Sequence, residues 1–335
     1  MRTSIGIAFD IGVVTAVAIT EHGSTELQIN SPSRNHASLT CGDCKSCPIA
    51  SSDPHVEHAD LIKSALAQLR QEGVGGVDQA VIAIGTPVSY YVRHKQTMAN
   101  LLTQPPCDPT INSPRIFPPV IQPLGMGLYH KLMLNEQGLV NPGRNINKET
   151  WAVVNTDRQA TDIMLVQQGK WVARAAGGAL FEQIYNHGMQ WVECDLGQCQ
   201  GTDLAVKQLQ QSIQKSLGIR LDWLEAKEAT TSNKIKTLDG FIDVTAQVLE
   251  AYAHVATKIA DRTDLLLGED ISRLYGVMVT GSTAGALYPH LLERWPNALI
   301  QPGRLFAAAH GMARFALAKH RSEPFASVSS STGGY

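Results

Sequence analysis

The first thirty residues alternate between apolar runs and short polar turns. Residues 5–9 and 13–20 are almost wholly apolar, and the turn between them, 10–12, carries an acid and a glycine. Short apolar runs bounded by turn residues are typical of buried strands, and glycine permits a tight turn between them. Residues 25–30 follow the polar segment 21–24. The pattern therefore predicts an antiparallel meander of three strands.

The rest of the chain repeats a similar succession of strands and helices. Apolar residues at spacings of three and four predict helices, whereas short apolar runs predict strands. In the first half, strands are predicted at 80–84 and 120–122 and helices at 60–71 and 125–135. In the second half, strands are predicted at 151–155, 162–167, 171–175 and 277–280 and helices at 179–186, 203–217, 239–262, 285–294 and 305–320. Two halves that each begin with a meander indicate an internal duplication of α/β type.

This duplication divides the chain into two predicted domains with a ligand cleft between them. We expect the first domain at 1–150, with a loop insertion at 31–56, and the second at 151–304. The helix at 305–321 is expected to return to the first domain. The Ser-rich residues 322–335 are expected to form a loose tail.

The amino-acid composition argues against several classes of protein. The chain has 335 residues, 44% of them hydrophobic and 17% charged, which is enough for a sizeable core. A net charge of -2 gives no electrostatic reason to bind nucleic acid or a membrane surface directly. No apolar run reaches the ~18 residues of a membrane helix, and Asp10 interrupts the first one, so no signal peptide is expected. Six cysteines do not suggest a disulfide scaffold, and we expect a cytoplasmic protein.

Asp10 stands where a buried strand would deliver it to the mouth of a cleft. Mg²⁺ keeps most of its waters and takes few carboxylates, so an acid at this place suits a hydrated Mg²⁺ on a nucleotide phosphate. The backbone N–H groups of Ile11 and Gly12 would face the phosphates. The alternative is an ordinary hairpin in which the aspartate caps the turn.

The order of the motifs resembles the actin-like ATPase superfamily and, within it, the ParM-type (StbA-like) plasmid-segregation proteins. The resemblance covers most of residues 4–320 and rests on four segments. They are FDIG at 9–12, IAIGTPVSYY at 82–91, VIQPLGMGLYHKLM at 120–133, and YGVMVTGSTAGALYPHLLERWPNALIQPGRLFAAAHGMARFAL at 275–317. It implies an α/β, actin-like two-domain fold with duplicated halves around a nucleotide cleft. It also implies ATP (or GTP) with Mg²⁺, bound between the domains, and nucleotide-driven assembly into filaments.

The resemblance also assigns roles to individual residues. It gives the first phosphate-binding turn to Asp10, Ile11 and Gly12. It gives the positioning of the attacking water to Gln122, because a side-chain amide there can orient a water molecule. Alternatively, Gln122 is simply a polar residue at the end of a strand and has no catalytic role.

Contacts to the adenosine fall, by the same resemblance, on Gly281, Ser282 and Thr283. Glycine lets the backbone approach a nucleotide closely. As an alternative, the two hydroxyl groups cap the helix that follows.

The second phosphate-binding hairpin departs from the family pattern D-hydrophobe-G-x-x-T-x-D. The aligned run at 155–162 is NTDRQATD, with Asn155 in place of the leading aspartate and Asp157 in place of the glycine. An amide brings no charge to a metal ion, and Asp157 would repel a γ-phosphate if it pointed inward. Hydrolysis is therefore expected to be slow, to use Asp157 or Asp162 differently, or to be absent.

Three cysteines form the second candidate site. Cys41, Cys44 and Cys47 have C-x-x-C-x-x-C spacing, which lets thiolates converge on zinc or on an iron–sulfur cluster. The alternative is three free thiols in a surface loop. The candidates for a fourth ligand are His55, His58, Cys194 and Cys199.

Three functions are compatible with these features of the sequence. The first is a filament-forming ATPase that assembles with itself and positions plasmid DNA through a DNA-binding adaptor protein. The second is a metal-containing activating ATPase or a small-molecule kinase on the same fold, and the cysteine loop favours the activator. The third is a nucleotide-binding scaffold that does not hydrolyse, as the altered second hairpin suggests. Fold alone does not choose among them.

Overall fold

The computed structural model describes residues 3–10, 13–30, 54–86, 88–104, 118–156, 161–171, 203–281, 283–301 and 306–322. The strands in these ranges are β1 Ser4–Asp10, β2 Val13–Thr20, β3 Gly23–Asn30, β4 Val81–Thr86, β5 Val120–Pro123, β6 Thr150–Thr156, β7 Thr161–Gln167, β8 Lys170–Trp171, β9 Lys234–Thr237, β10 Gly240–Asp243, β11 Gly276–Thr280 and β12 Ala298–Ile300. The helices are α1 Pro54–Gln71, α2 Val88–Thr103, α3 Leu124–Met133, α4 Asp203–Leu217, α5 Trp223–Ser232, α6 Thr245–Leu267, α7 Ala284–Arg294 and α8 Ala307–Ser322.

Two five-stranded sheets share one topology. The first has the order β3-β2-β1-β4-β5, and the second has the order β8-β7-β6-β11-β12. In each sheet an antiparallel meander forms one side and two strands parallel to its first strand form the other. The predicted α/β class and the duplicated halves are therefore confirmed.

Successive side chains along the strands alternate between two faces of each sheet, and one of these faces packs against the centre of the molecule. In β1, Ile5 and Ile7 pack outward with α1 and α2, while Ala8 points inward. In β6, Val153 packs inward and Val154 packs outward beside α4, α6 and α7. Successive side chains of a strand point to opposite faces, so apolar runs without polar interruptions suit sheets covered on both sides.

Helices α3 and α8 form the layer between the two sheets. Glycines allow their close approach, since a Cβ atom on Gly311 of α8 would overlap the carbonyl oxygen of Gly127 in α3. A Cβ atom on Gly6 of β1 would likewise overlap the backbone of α8 at Ala309 and Ala313. Side chains larger than hydrogen at these three glycines would force backbone apart, because backbone atoms cannot rotate away.

The contacts of α3 show that the two sheets point the same way. Helix α3 begins directly after β5, and a Cβ atom on Gly125 in its first turn would lie 3.2 Å from Cγ1 of Val153. One turn further along, burial and the nearby Glu149 carboxylate raise the pKa of Tyr129 to about 12. Glu149 precedes β6, so α3 runs from the carboxyl ends toward the amino ends of the parallel strands in both sheets. Their carboxyl ends consequently share one edge of the molecule.

Local structure differs from the prediction in both halves, mostly in the second. Residues 239–244 are not the start of the long helix, because β9 and β10 form a hairpin there and α6 begins at Thr245. Gly240, with φ of +127°, is the first residue of β10 directly after the two-residue turn of this hairpin. The apolar pattern also failed to predict the short helix α5 and the strand β12 in the second half and the helix α2 in the first half. The predicted helix at 179–186 and the end of the strand predicted at 171–175 lie outside the described residues.

We expect Gly311→Ala to destabilise the protein by about 2 kcal/mol or more, even though alanine favours helices over glycine. The new methyl group has no space against the Gly127 carbonyl. Urea unfolding measures the change.

Gly75→Ala is the matched control, since no atom lies within 4 Å of a Cβ atom there. Equal stabilities for the two variants would contradict the close packing of α3 on α8.

Candidate functional site

The edge that carries the carboxyl ends of the parallel strands gathers several of the predicted residues. Asp10 is the last residue of β1 and pairs with Val13 across the hairpin. Gln122 is next to last in β5 and lies opposite Gly85 of β4. Ile11 and Gly12 lie outside the described residues.

The second sheet brings Asn155 to the same edge. Asn155 is buried, at 7% exposure, and is paired with Thr280 of β11 on one side and with Asp162 of β7 on the other. Asp162 is half-buried. Asp157 lies outside the described residues, so its expected orientation stays a prediction.

The segment after β11 is tied to the end of β6. Gly281 has φ of +101°, in the region that favours glycine, and a Cβ atom there would overlap the backbone of Thr156. The backbone N–H of Thr283 donates to the Thr156 carbonyl at 3.3 Å, and its hydroxyl donates to the same oxygen at 2.9 Å. Thr283 makes no side-chain cap to α7, so the capping alternative is wrong for this residue. Ser282 lies outside the described residues.

Thr156 connects three hydroxyl groups at this edge. Its Oγ1 accepts from Oγ1 of Thr161 at 3.4 Å and donates to Oγ1 of Thr283 at 3.1 Å. Each of these buried or half-buried hydroxyls thereby has a partner, and hydrogen bonds join the β6–β7 pair to the Gly281 segment. Thr156 was missed from the sequence, where it appeared only as an unremarkable residue of the aligned run 155–162.

Gln122 makes a contact that the sequence did not indicate. Its Oε1 lies 3.1 Å from Nε2 of His130 in α3. Burial lowers the pKa of His130 to about 3, so the ring is neutral at pH 7. A neutral imidazole protonated at Nε2 donates to the amide oxygen. The ring also stacks on Phe315 of α8, with centroids 4.4 Å apart and planes at 15°.

The predicted metal site is not tested by this geometry. Cys41, Cys44 and Cys47 lie outside the described residues, as do the alternative ligands Cys194 and Cys199. His58 is described and packs against Phe9, with ring centroids 4.2 Å apart. In the ranges that the structure describes, no three histidine, cysteine or acidic side chains converge to hold a metal ion.

Comparison with known proteins identifies the fold. Residues 183–293, about a third of the chain, match the family model "Archaeal actin homologue MreB-like, C-terminal". No curated protein sequence matches the chain. Across the described ranges, none of the helices has the length and apolar character needed to cross a membrane.

Solved structures resemble this chain over nearly its whole length. Ta0583, an archaeal actin homologue, has a TM-score of 0.63 at 16% identity, over 96% of this chain and 100% of the other. Its complex with ADP has a TM-score of 0.58 at the same identity and coverage. ParM in a 15-stranded filament from Clostridium botulinum has a TM-score of 0.61 at 16% identity, over 94% of this chain and 99% of the other. At such identities the likeness shows the fold alone, and the chain has the actin-like two-domain fold.

Proposed function

We propose that this chain is an actin-like protein that binds ATP (or GTP) with Mg²⁺ at the shared edge of its two sheets. The observation that carries the proposal is the duplicated topology, which brings Asp10, Gln122, Asn155 and the Gly281 segment to the carboxyl ends of parallel strands. Ligands of open α/β sheets bind at this edge. The ADP complex of Ta0583, a protein with the same fold, supports a nucleotide as the ligand.

The residues at this edge fit such a ligand. Strand ends carrying an acid and amides supply oxygen ligands and hydrogen-bond donors, which suit a hydrated Mg²⁺ and phosphate oxygens. We assign the metal-bound phosphates to Asp10 and the turn at 11–12. The second hairpin would contribute Asn155, Asp157 and Asp162. Gly281 and its two neighbours would contact the adenosine, because glycine leaves the backbone free to approach it.

Hydrolysis would depend on Gln122. An amide orients a water molecule but does not accept its proton, so the proposed activity is weak. The replacement of an acid by Asn155 removes a charge from the second hairpin and lowers the expected rate further.

Self-assembly is the second part of the proposal. A nucleotide that touches both domains stabilises one angle between them, and a head-to-tail contact made at that angle propagates because it does not close. The ParM structure from Clostridium botulinum is a filament, which supports this reading. We further propose a DNA-binding adaptor and a role in plasmid partition, since a net charge of -2 does not suit direct binding of DNA.

Removal of the acid at β1 tests nucleotide binding. Asp10→Ala should weaken Mg²⁺-dependent ATP binding by about 10- to 100-fold, because a charge-assisted interaction is lost. Isothermal titration calorimetry with and without Mg²⁺ measures this. Asp78→Ala, which removes an exposed acid at the opposite edge of the first sheet, should bind like the native chain. Unchanged affinity in Asp10→Ala would reject the site.

Electron microscopy tests assembly. With ATP and Mg²⁺ we expect filaments at micromolar protein, and they should disassemble slowly because turnover is slow. Asp10→Ala protein is the control, and we expect it not to assemble. If native protein stays monomeric over a range of salt and protein concentrations, the filament proposal fails. A small-molecule kinase or an activating ATPase then becomes the better-supported function.

The cysteine loop is the feature that favours an activating ATPase. Protein purified without added metal should contain close to one equivalent of zinc, or iron with sulfide, bound by Cys41, Cys44 and Cys47. Elemental analysis measures it, and Cys44→Ser should lower the content because a thiolate ligand is lost. The same metal content in both proteins would exclude the cysteine loop as a metal site.

A further inference from the structure

The side chain of Gln122 is directed into the central helix layer. Its neighbour Ile121 packs into the outer core of the first sheet. Because successive side chains of a strand alternate, Gln122 points to the inner face, where α3 and α8 lie. The contact between its Oε1 and Nε2 of His130 agrees with this direction.

His130 holds a fixed position below the site edge. It lies six residues after the start of α3, which is about 9 Å along the helix axis. Its side chain is buried at 5% exposure, and its ring stacks on Phe315. The amide oxygen of Gln122 is therefore engaged by a side chain of the central helix layer.

Water positioning requires an amide that is released from His130. To orient a water molecule on a phosphate at that edge, the amide of Gln122 has to face the carboxyl ends of the strands. Gln122 is half-buried, so its side chain lies at the boundary between the core and that edge. Rotation about its side-chain bonds would exchange the His130 contact for one at the edge.

We infer that His130 is a positioning residue that keeps the Gln122 amide withdrawn from the nucleotide site and thereby slows turnover. The inference rests on the proposed nucleotide binding and on the proposed role of Gln122. A hydrogen bond of ordinary net strength favours the withdrawn orientation by about twofold to tenfold. Loss of the donor should raise turnover by a similar factor and should leave nucleotide affinity unchanged.

Two substitutions separate the donor from the packing. His130→Leu fills the buried space without a donor, whereas His130→Gln keeps an N–H donor at the end of a side chain of similar reach. We expect His130→Leu to raise kcat about twofold to tenfold with an unchanged Kd for ATP, and His130→Gln to stay close to the native rate. Phosphate release gives kcat, and calorimetry gives Kd. Thermal unfolding of each variant verifies that it is folded.

A double substitution tests whether the effect passes through Gln122. In a Gln122→Ala background, His130→Leu should leave kcat unchanged, because no amide remains to be released. A purely structural effect of His130 would persist in that background and would overturn the inference. So would a kcat that falls, or does not change, in the His130→Leu single variant with ATP binding intact.

The native protein supplies a test without catalysis. In ¹⁵N NMR spectra, His130, assigned by its absence in the His130→Gln spectrum, should carry its proton on Nε2. A bare Nε2 would mean that His130 is not the donor in this contact, which overturns the inference. Failure of native protein to bind ATP rejects the proposed function itself, and the inference with it. Intact binding with no response to His130→Leu rejects only the inference.

Discussion

The contact between α3 and α8 is the constraint on which the rest of the structure depends. Their backbones meet at Gly127 and Gly311, where a side chain on Gly311 would overlap the facing carbonyl. This approach lets one thin layer of two helices serve as the shared inner core of both sheets. Because α3 lies against both sheets in the same direction, the carboxyl ends of their parallel strands share one edge. The direction in which α3 runs between the two sheets thus places the site edge.

Contacts within the same helix pair lead to the site. Arg314 of α8 donates to the carbonyl oxygens of Lys131 and Leu134 at 3.0 and 2.7 Å, which satisfies acceptors at the end of α3. Phe315, its neighbour, stacks on His130. The position of α8 therefore determines where the His130 ring lies, and that ring holds the amide of Gln122. A shift of one helix against the other would alter this contact at the site edge.

The two halves of the edge differ in the contacts that hold their described side chains. In the second half, hydroxyl and backbone contacts among Thr156, Thr161 and Thr283 join the end of β6 to the segment after β11. In the first half, Gln122 is held by one hydrogen bond to a residue of the central layer. The side chain of Gln122 can therefore change orientation at the cost of a single described contact, whereas movement of the Gly281 segment would break several.

Sequence by itself determined the elements whose pattern is local. The two meanders, helix α4 and strand β11 are encoded by apolar spacing within a few residues, and their repetition revealed the duplicated α/β fold. Short or polar elements such as the β9–β10 hairpin escaped, because a four-residue strand has too few positions for a clear period. Only the tertiary structure joined His130 to Gln122 and Thr283 to Thr156, which is 127 residues away. Such contacts depend on helix axes and strand register, which arise from packing between distant segments and leave no local pattern in the chain.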